Sequence, residues 1–353
     1  MKRNPKSLQV LDLFCGAGGL SLGFEQAGFE VVGGVDSDSR SMETFAMNFP
    51  SSRAVTADLS QLSLRKLTDE LGSLEVDVIV GGPPCQGFSV AGKRSESDSR
   101  NRLYQHYLKI VQIAKPRAVV IENVPTIRSL YGGRVAAEIE CGLSDLGYHV
   151  VTAVLNAADY GVPQARRRMF FVATRDEGVS FRFPSTSTAT PLTCQDALSD
   201  LPSLSPEIGR PVAKYESAPT TAYQRQMRKG SRSLFNHEAV VHKPETVRII
   251  SLVPDGGNYK NLPKDLWGTR KVNIAWTRMN SKKPSFTIDA GHNHHFHYKY
   301  NRVPTVRECA RIQSFPDNFR FLGTRTSQYR QVGNAVPPLL AKAIAVELQR
   351  ILQ

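Results

Sequence analysis

The sequence lacks the patterns that mark several protein classes. Its five cysteines are scattered and include no C-x-x-C pair, which argues against a disulfide framework and a zinc ribbon. No apolar stretch approaches the ~20 residues of a membrane span, and no apolar signal core precedes the first strand pattern. A hydrophobic content of 41% nevertheless predicts a folded protein with a core. We therefore expect a cytoplasmic protein without a membrane partner.

Acidic residues are scarce in one part of the chain. Between Pro202 and Arg330 there are 22 Lys and Arg but only 9 Asp and Glu, whereas the remainder has 23 of each. The whole net charge of +13 therefore lies in one segment, which also holds six of the eight histidines and both tryptophans. A basic segment with interleaved aromatics is typical of proteins that bind nucleic acid. The alternative, a merely soluble basic surface, is the weaker interpretation.

Strand and helix patterns alternate from residue 8 to residue 174. This alternation predicts an α/β fold with a doubly wound, mostly parallel sheet. The predicted strands are Leu8–Phe14, Glu30–Val35, Arg53–Ala57, Val76–Val80, Arg117–Glu122, His149–Leu155 and Arg168–Ala173. Helical patterns lie between several of them, for example at Leu103–Ala114 and Arg134–Leu146.

Regular periodicity decays near Asp176, and residues 184–191 read as a linker. It returns at a capping box, Thr305 with Glu308 three residues later, and Pro337-Pro338 then begins a last amphipathic helix. That helix needs a core to pack on, and the sheet supplies one. We expect a catalytic and cofactor-binding domain at 1–182, a smaller irregular domain at 183–316, and a segment at 317–353 that returns to the first domain.

A cysteine lies just beyond the fourth predicted strand. Residues 81–89 read G-G-P-P-C-Q-G-F-S, so Pro83 and Pro84 stiffen the turn before Cys85. Ligands of α/β sheets bind beyond the carboxyl ends of the strands, where a thiol is positioned for chemistry. Most free cysteines instead behave as small buried apolar residues. On this motif alone, the two interpretations are about equally supported.

A glycine-rich turn follows the first strand, but it is not a dinucleotide fingerprint. Ser21 occupies the third glycine position of G-x-G-x-x-G. Asp36 and Asp58 follow the second and third strands, where they could bind a ribose hydroxyl and an adenine amine. Each could instead be only a helix N-cap. Together the turn and the two acids favour an adenosine ligand without a pyrophosphate, such as S-adenosylmethionine.

Three further motifs carry polar groups to strand or helix ends. Glu122 ends the apolar fifth strand, where desolvation would raise its pKa and suit a general acid; a structural carboxylate is the alternative. Arg166 and Arg168 enter the last strand, and alternation would place them on one face, away from Arg167. Gly333-Asn334, before the last helix, predicts a tight turn that exposes backbone groups.

In this order the motifs resemble those of DNA (cytosine-5)-methyltransferases from bacterial restriction–modification systems. The matching blocks are Asp12–Gly19, Pro83–Gln86, Glu122–Val124, Gln164 with Arg166 and Arg168, Arg307–Pro316, and Gly333–Pro337. The resemblance spans most of the chain except about residues 185–295. It implies the class I, Rossmann-like methyltransferase fold with S-adenosylmethionine as cofactor, and a target-recognition function for the irregular domain.

The resemblance also implies roles for single residues. Cys85 would attack C6 of a flipped cytosine, while Glu122 protonates N3 and Arg168 binds O2. Arg166 would order the pocket, Asn123 would hold the exocyclic amine, and residues 86–102 would close over the base. The cofactor residues would be Phe14, Gly16, Gly18, Gly19, Leu20, Asp36, Asp58, Pro83, Leu103, Asn334 and Val336.

The partner would be double-stranded DNA, with a possible cognate restriction endonuclease that forms no stable complex with a monomeric enzyme. Alternatives are a tRNA cytosine-5 methyltransferase, a DNA-binding homologue with an inactive core, and a nicotinamide dehydrogenase, which the failed glycine fingerprint disfavours. The histidines of His292–His297 could bind a metal, but DNA contact or local packing is the preferred interpretation, so no metal site is predicted.

Overall fold

A computed structural model describes residues 7–84, 103–176, 178, 180–186, 190–204, 208–269, 276–290 and 295–353. The chain forms two compact units, which are described separately. Unit 1 comprises residues 1–156, 167–186 and 336–353, and unit 2 comprises residues 157–166 and 187–335. Within the described ranges, none of the helices is both long and apolar enough to span a membrane.

The strands of unit 1 form one seven-stranded sheet, in the order β3-β2-β1-β4-β5-β7-β6. They are β1 (Gln9–Leu13), β2 (Glu30–Asp36), β3 (Arg53–Thr56), β4 (Val78–Gly81), β5 (Ala118–Asn123), β6 (His149–Asn156) and β7 (Arg167–Thr174). The first five strands in this order are parallel, and β7 is antiparallel to both β5 and β6. The predicted doubly wound, mostly parallel sheet is confirmed.

The α-helices lie between and after these strands. They are α1 (Gly19–Gln26), α2 (Ser39–Asn48), α3 (Leu64–Leu71), α4 (Leu103–Ala114), α5 (Arg134–Asp145), α6 (Cys194–Leu198), α7 (Ala222–Arg228), α8 (Pro244–Ser251), α9 (Val306–Ile312), α10 (Arg325–Asn334) and α11 (Pro338–Leu352). Helices α1–α5 and α11 belong to unit 1. The central strands are buried on both faces, which is why β4 and β5 read as continuous apolar runs.

Helix α11 closes unit 1 by packing against α1. A Cβ atom on Gly23 would lie only 2.4 Å from Cβ of Ala341, so glycine permits the close approach of the two helices. Arg117, just before β5, donates to the carbonyl oxygen of Leu352 over 2.8 Å and pairs with Asp176. The end of the chain is thereby fixed to the sheet of unit 1.

Unit 2 has short elements and an apolar cluster of its own. The strands β8 (Val212–Ala213) and β9 (Leu234–Phe235) pair antiparallel, and β10 (Thr277–Arg278) pairs in parallel with β11 (His295–Phe296). One apolar cluster contains Ile249, Ile250, Val253, Leu262, Trp276, Phe296 and Val303. The predicted capping box is confirmed, since Thr305 caps α9 and exchanges hydrogen bonds with Glu308.

The boundaries of the two units differ from those of the predicted domains. Residues 157–166 and the whole of α10 belong to unit 2, whereas the prediction assigned them to the catalytic domain and the returning segment. Helix α10 packs on α9, and the Tyr329 hydroxyl donates to the Pro304 carbonyl oxygen over 2.6 Å. The division into functional domains at 1–182, 183–316 and 317–353 stays a prediction.

Candidate active site

The turn that follows β4 lies beside the end of β5. Cys85 itself lies outside the described residues, but Gly81–Pro84 lead to it from β4. A Cβ atom on Gly82 would lie 3.1 Å from Oε2 of Glu122, so glycine lets the turn approach this carboxylate. Asn123 is buried, and its Nδ2 donates to the Pro83 carbonyl oxygen over 3.1 Å. The last two residues of β5 therefore contact the segment that carries the predicted nucleophile.

Arg168 forms an ion pair with Glu122. Its Nε lies 2.9 Å from Oε1 of Glu122, and the two side chains are 14% and 12% exposed. Glu122 lies opposite Phe170 in the antiparallel pairing of β5 with β7, which places Arg168 diagonally across on the same face. Burial lowers the pKa of Arg168, although the charge of Glu122 opposes this shift. The predicted acid and the predicted O2 ligand are thus in direct contact.

Arg166 lies elsewhere than predicted. Strand β7 begins at Arg167, so Arg166 precedes the strand and does not share a strand face with Arg168. Within unit 2, the buried guanidinium of Arg166 donates to the carbonyl oxygens of Ile288 and Gly333, over 2.9 Å and 2.8 Å. Arg166 is therefore a bridge between two backbone segments of unit 2, which agrees with an ordering function.

Gln164 makes the same kind of contact as Arg166. Its Oε1 accepts from the backbone N–H of Ile288 over 2.9 Å, and its Nε2 donates to Oε1 of Gln313 over 2.8 Å. Gly333 packs so closely that a Cβ atom there would lie 2.2 Å from the Asp289 carbonyl oxygen. The predicted tight turn at Gly333-Asn334 is wrong, because both residues end helix α10. Glycine is required there by packing.

The glycine-rich loop after β1 has an unusual backbone. Phe14, Gly16 and Gly18 have φ values of +60°, +53° and +93°. A Cβ atom on Gly18 would lie 2.5 Å from Cε2 of Phe49, whereas one on Gly16 would meet nothing within 4 Å. The loop therefore packs against α2 at Gly18 and leaves open space at Gly16, where a ligand could approach the backbone.

Asp36 holds this loop in place. Its Oδ2 accepts from the Gly16 N–H and its Oδ1 from the Asp38 N–H, both over 2.9 Å. Burial raises the pKa of Asp36. The carboxylate thus lies between the loop and the end of β2.

Neither predicted cofactor acid caps a helix. The N-cap of α2 is Asp38 and the N-cap of α3 is Ser63, so the N-cap alternative is wrong for both Asp36 and Asp58. Asp58 is exposed, and its Oδ1 accepts from the N–H and hydroxyl of Ser60. Both acids remain available to an adenosine ligand at the ends of β2 and β3.

The other predicted cofactor residues lie in both units. Gly19 and Leu20 begin α1, Leu103 begins α4, and Val336 precedes α11; all four are buried in unit 1. Asn334 is exposed at the end of α10, in unit 2. The open space at Gly16 and the two acids fit a ligand with a ribose and an amine, because carboxylates accept hydrogen bonds from ribose hydroxyls and from an adenine amine.

Asp12 received no role from the sequence. It lies in β1 with no exposed surface, and its Oδ2 accepts from the Ser21 hydroxyl over 2.6 Å and from the Ser21 N–H over 3.2 Å. Desolvation raises the pKa of Asp12 to about 7. The sequence did contain a signal for Asp12. It is an acid inside an otherwise apolar strand, and it precedes by nine residues the serine that replaces the third glycine of G-x-G-x-x-G.

The described histidines of the His292–His297 segment take part in packing. The Nδ1 atom of buried His297 accepts from the backbone N–H groups of Lys299 and Tyr300, and His295 stacks on Phe286 with 5.1 Å between ring centroids. His292 and His294 lie outside the described residues. In the part of the chain that the structure describes, no cluster of three metal-ligating side chains occurs.

The model of one protein family, C-5 cytosine-specific DNA methylase, matches residues 8–350. The chain belongs to this family. It is 39% identical to a type II methyltransferase of Haemophilus parahaemolyticus, M1.HphI, over 96% of this chain and 86% of that protein. It is 37% identical to a type II methyltransferase of Desulfomicrobium norvegicum, M.DdeI, over 96% of this chain and 88% of that protein.

Solved structures share the fold. A prophage-encoded protein of Escherichia coli, assigned as a DNA modification methyltransferase, superposes with a TM-score of 0.81 at 28% identity, covering 98% of this chain and 99% of that one. The DNMT2 protein of Spodoptera frugiperda superposes with a TM-score of 0.62 at 16% identity, covering 98% and 100%. The predicted family, the methyltransferase fold and the enzyme class are therefore confirmed: the protein is a DNA (cytosine-5)-methyltransferase.

Proposed function

We propose that this enzyme transfers a methyl group from S-adenosylmethionine to C5 of a flipped cytosine in duplex DNA, through a covalent bond between Cys85 and C6. The observation that carries this proposal is the ion pair of Glu122 with Arg168, beside the Gly82–Pro83 turn that leads to Cys85. An acid and a cation side by side match the N3 and O2 edge of cytosine.

The proposed reaction proceeds by addition to C6, methyl transfer to C5 and elimination of Cys85. Glu122 takes up a proton when the base enters the site. The Cys85 thiolate then adds to C6 while Glu122 gives that proton to N3, so the ring becomes an enamine with electron density at C5. Bound S-adenosylmethionine would supply an electrophilic methyl group, which C5 would take up as the sulfur–methyl bond breaks and the neutral thioether is left behind. A base, for which water is the candidate, then removes the C5 proton. The C5–C6 double bond re-forms as Cys85 leaves as a thiolate, and the N3 proton returns to Glu122.

Arg168 has N–H donors left over for a hydrogen bond to the substrate. Its Nε pairs with Glu122 and its Nη1 donates to the Arg167 carbonyl oxygen over 2.7 Å. A guanidinium has five N–H donors, so it can bind O2 of the base from the remaining ones. This contact draws the positive charge toward the base as negative charge develops there, and so favours transfer of the proton from Glu122.

Asn123 acts on the nucleophile segment in this proposal. Its amide donates to the Pro83 carbonyl oxygen, two residues before Cys85. It therefore orders the turn that presents the thiol, in addition to the contact with the exocyclic amine that the resemblance implies. Arg166 orders the backbone at Ile288 and Gly333.

The cofactor would be held by the loop after β1 and by the acids at the next two strand ends. Asp36 supports the loop through Gly16 and offers its carboxylate to the ribose, while Asp58 accepts from the adenine amine. The remaining residues of unit 1 proposed to line this site are Phe14, Gly18, Gly19, Leu20, Pro83, Leu103 and Val336; a cofactor role for Asn334 of unit 2 stays a prediction from the family resemblance.

Unit 2 would bind and read the duplex. It contains the basic segment, and a cytosine must leave the stack before Cys85 can reach it. The relatives M1.HphI and M.DdeI are named type II methyltransferases, which supports a role in a restriction–modification system. We infer a sequence-specific monomer that acts in the cytoplasm and protects DNA from a cognate endonuclease without forming a stable complex with it.

The test compares methyl transfer to duplex DNA with transfer to tRNA, using wild type and Cys85→Ser. Transfer to cytosine in duplex DNA, abolished by the substitution while DNA binding survives, is the expected result. Preference for tRNA would favour the tRNA alternative, and absence of an adduct with 5-fluorocytosine DNA in the presence of cofactor would favour an inactive core. Bisulfite sequencing of DNA from expressing cells would then identify the recognised site.

A further inference from the structure

The two oxygens of the buried Asp12 carboxyl group differ in their hydrogen bonding. Its Oδ2 accepts two hydrogen bonds from Ser21, while its Oδ1 has no hydrogen-bond partner among the residues that the structure describes. A buried acceptor without a partner costs ~1–3 kcal/mol. An amide or an apolar residue would avoid the desolvation of a charge at this position, so the carboxyl group calls for a functional explanation.

The bond between Asp12 and Ser21 spans the glycine-rich loop. Asp12 lies in β1 and Ser21 lies in the first turn of α1. Between them, Phe14, Gly16 and Gly18 all have positive φ values, so this backbone has to be held by its surroundings. Asp12 therefore holds the two ends of the loop that is proposed to bind the cofactor.

Among the residues that the structure describes, the titratable groups that interact with Asp12 are acids. They are Asp36 of β2, Cys15 of the loop and Tyr107 of α4. Desolvation raises the pKa of each of these groups and raises that of Asp12 to about 7. Asp12 consequently changes its charge near neutral pH, in an interior where a charge acts over several ångströms.

We propose that Asp12 is a positioning residue that couples the glycine-rich loop to the charge on the cofactor's sulfur, so that the site prefers the sulfonium of S-adenosylmethionine over the neutral thioether of its product. The inference rests on the proposed function, in which S-adenosylmethionine is the methyl donor. Asp12 acts through the loop and through its field, without contacting the reacting atoms. The preference would help the spent cofactor to leave.

The sign of the pH dependence follows from the charges. Below about pH 7 Asp12 is neutral and distinguishes little between a cation and a neutral sulfur. Above that pH its carboxylate attracts the sulfonium, so the preference for S-adenosylmethionine grows as pH rises. By linkage, the bound cation favours the ionised form of Asp12.

The experiment measures the dissociation constants of S-adenosylmethionine and S-adenosylhomocysteine for the full chain, from about pH 6 to about pH 8. Both ligands carry the same adenosine and amino acid groups, so the ratio of their affinities isolates the charge at sulfur. In wild type the ratio should rise by about tenfold toward S-adenosylmethionine across this range, within the usual magnitude of coupling between two sites.

Two variants separate charge from structure. Asp12→Asn should give a ratio that does not change with pH. Ser21→Ala removes hydrogen bonding that lowers the pKa of Asp12. The pH at which the affinity ratio rises should therefore be higher in this variant. If Asp12 had a purely structural role, the substitutions would instead weaken the binding of both ligands equally at every pH. Because Ser21→Ala keeps the carboxyl group, it tests the inference even where Asp12→Asn fails to fold.

The outcomes distinguish this inference from the proposed function. A wild-type ratio that is constant with pH would overturn the role of Asp12, as would an unchanged rise in Asp12→Asn, which would assign the titration to Asp36. Failure of the folded wild type to bind either ligand would instead overturn the proposed cofactor. Binding of both ligands with a constant ratio removes only the inference about Asp12.

Discussion

Arg168 Nε and Glu122 Oε1 lie 2.9 Å apart at the carboxyl end of β5. Both side chains are largely shielded from water, so their attraction is screened less than that of a surface pair. The antiparallel pairing of β5 with β7 brings them together, although 46 residues separate them along the chain. The fold thus fixes the relative position of an acid and a cation before any substrate binds.

We expect Arg168→Ala to lower kcat by about 10²–10³-fold, because in the proposed mechanism it removes a donor to the negative charge that develops on the base. The measurement is single-turnover methyl transfer to duplex DNA. Arg167→Ala is the matched control, since Arg167 is the exposed neighbour on the same strand and should retain nearly full activity. Equal losses in the two variants would indicate a general effect of charge on DNA binding and would contradict the role of Arg168.

Asn123→Asp should slow formation of the covalent adduct more than it weakens cofactor binding. A carboxylate cannot donate to the Pro83 carbonyl oxygen, so the turn before Cys85 loses its support. We expect about a 10–100-fold slower rate, by analogy with the loss caused by removing the groups that orient metal ligands. The rate of adduct formation with 5-fluorocytosine DNA measures this directly. An unchanged rate together with weaker cofactor binding would exclude the positioning role.

The sheet could be predicted because its determinants are local. Apolar runs such as Val78–Gly81 and Ala118–Asn123 are buried on both faces, so they appear in the sequence as uninterrupted strands. The family resemblance implied only that Glu122 and Arg168 bind the same base. Their direct contact was not predicted, because the position of β7 next to β5 depends on antiparallel pairing across the sheet. Periodicity alone carries no information on such pairing.

The environment of the basic residues was not predictable in the same way. The sequence suggested an exposed basic segment, but four of its arginines are buried in unit 2: Arg278, Arg302, Arg307 and Arg311. Arg307, for example, donates to the carbonyl oxygens of Phe235, Pro316 and Phe319. Some of these acceptors lie far from Arg307 along the chain, so no local sequence pattern predicts the contacts. Net charge therefore overstates the charge that unit 2 exposes at its surface.

Arg311 should contribute strongly to stability. Its guanidinium binds Asp317 through two hydrogen bonds of 2.7 Å and Asp200 through two, of 2.8 Å and 3.4 Å, with no exposed side-chain surface. Desolvation lowers the pKa of Arg311, but the two carboxylates outweigh it and the net shift is upward. Arg311→Met leaves both carboxylates buried without this partner, so we expect a loss of about 3–5 kcal/mol in unfolding free energy.

Urea denaturation followed by circular dichroism measures the effect of Arg311→Met. The matched control is Arg40→Ala, which breaks an exposed pair with Glu43 on α2 and should cost less than about 1 kcal/mol. A similarly small cost for Arg311→Met would mean that water or a rearrangement in unit 2 replaces the hydrogen bonds that Asp200 and Asp317 lose.

His297 should make the enzyme sensitive to mild acid. Desolvation lowers the pKa of this buried histidine to about 3, against a value of 6.5 for an unperturbed histidine. Between about pH 6.5 and about pH 3 the unfolded chain therefore binds a proton at His297 that the folded chain does not bind. Stability that is complete above pH 6.5 is lost as pH falls through this window, by an amount on the order of a few kcal/mol.

Thermal unfolding from about pH 7 to about pH 4.5 tests this expectation. His297→Gln should be less stable than wild type at pH 7, because the Nδ1 acceptor for the Lys299 and Tyr300 N–H groups is replaced, yet its stability should fall less steeply with pH. The exposed His149 provides the control, since His149→Gln should retain the wild-type slope. His237 is also buried with a lowered pKa, so an unchanged slope in His297→Gln would assign the acid sensitivity to His237 instead.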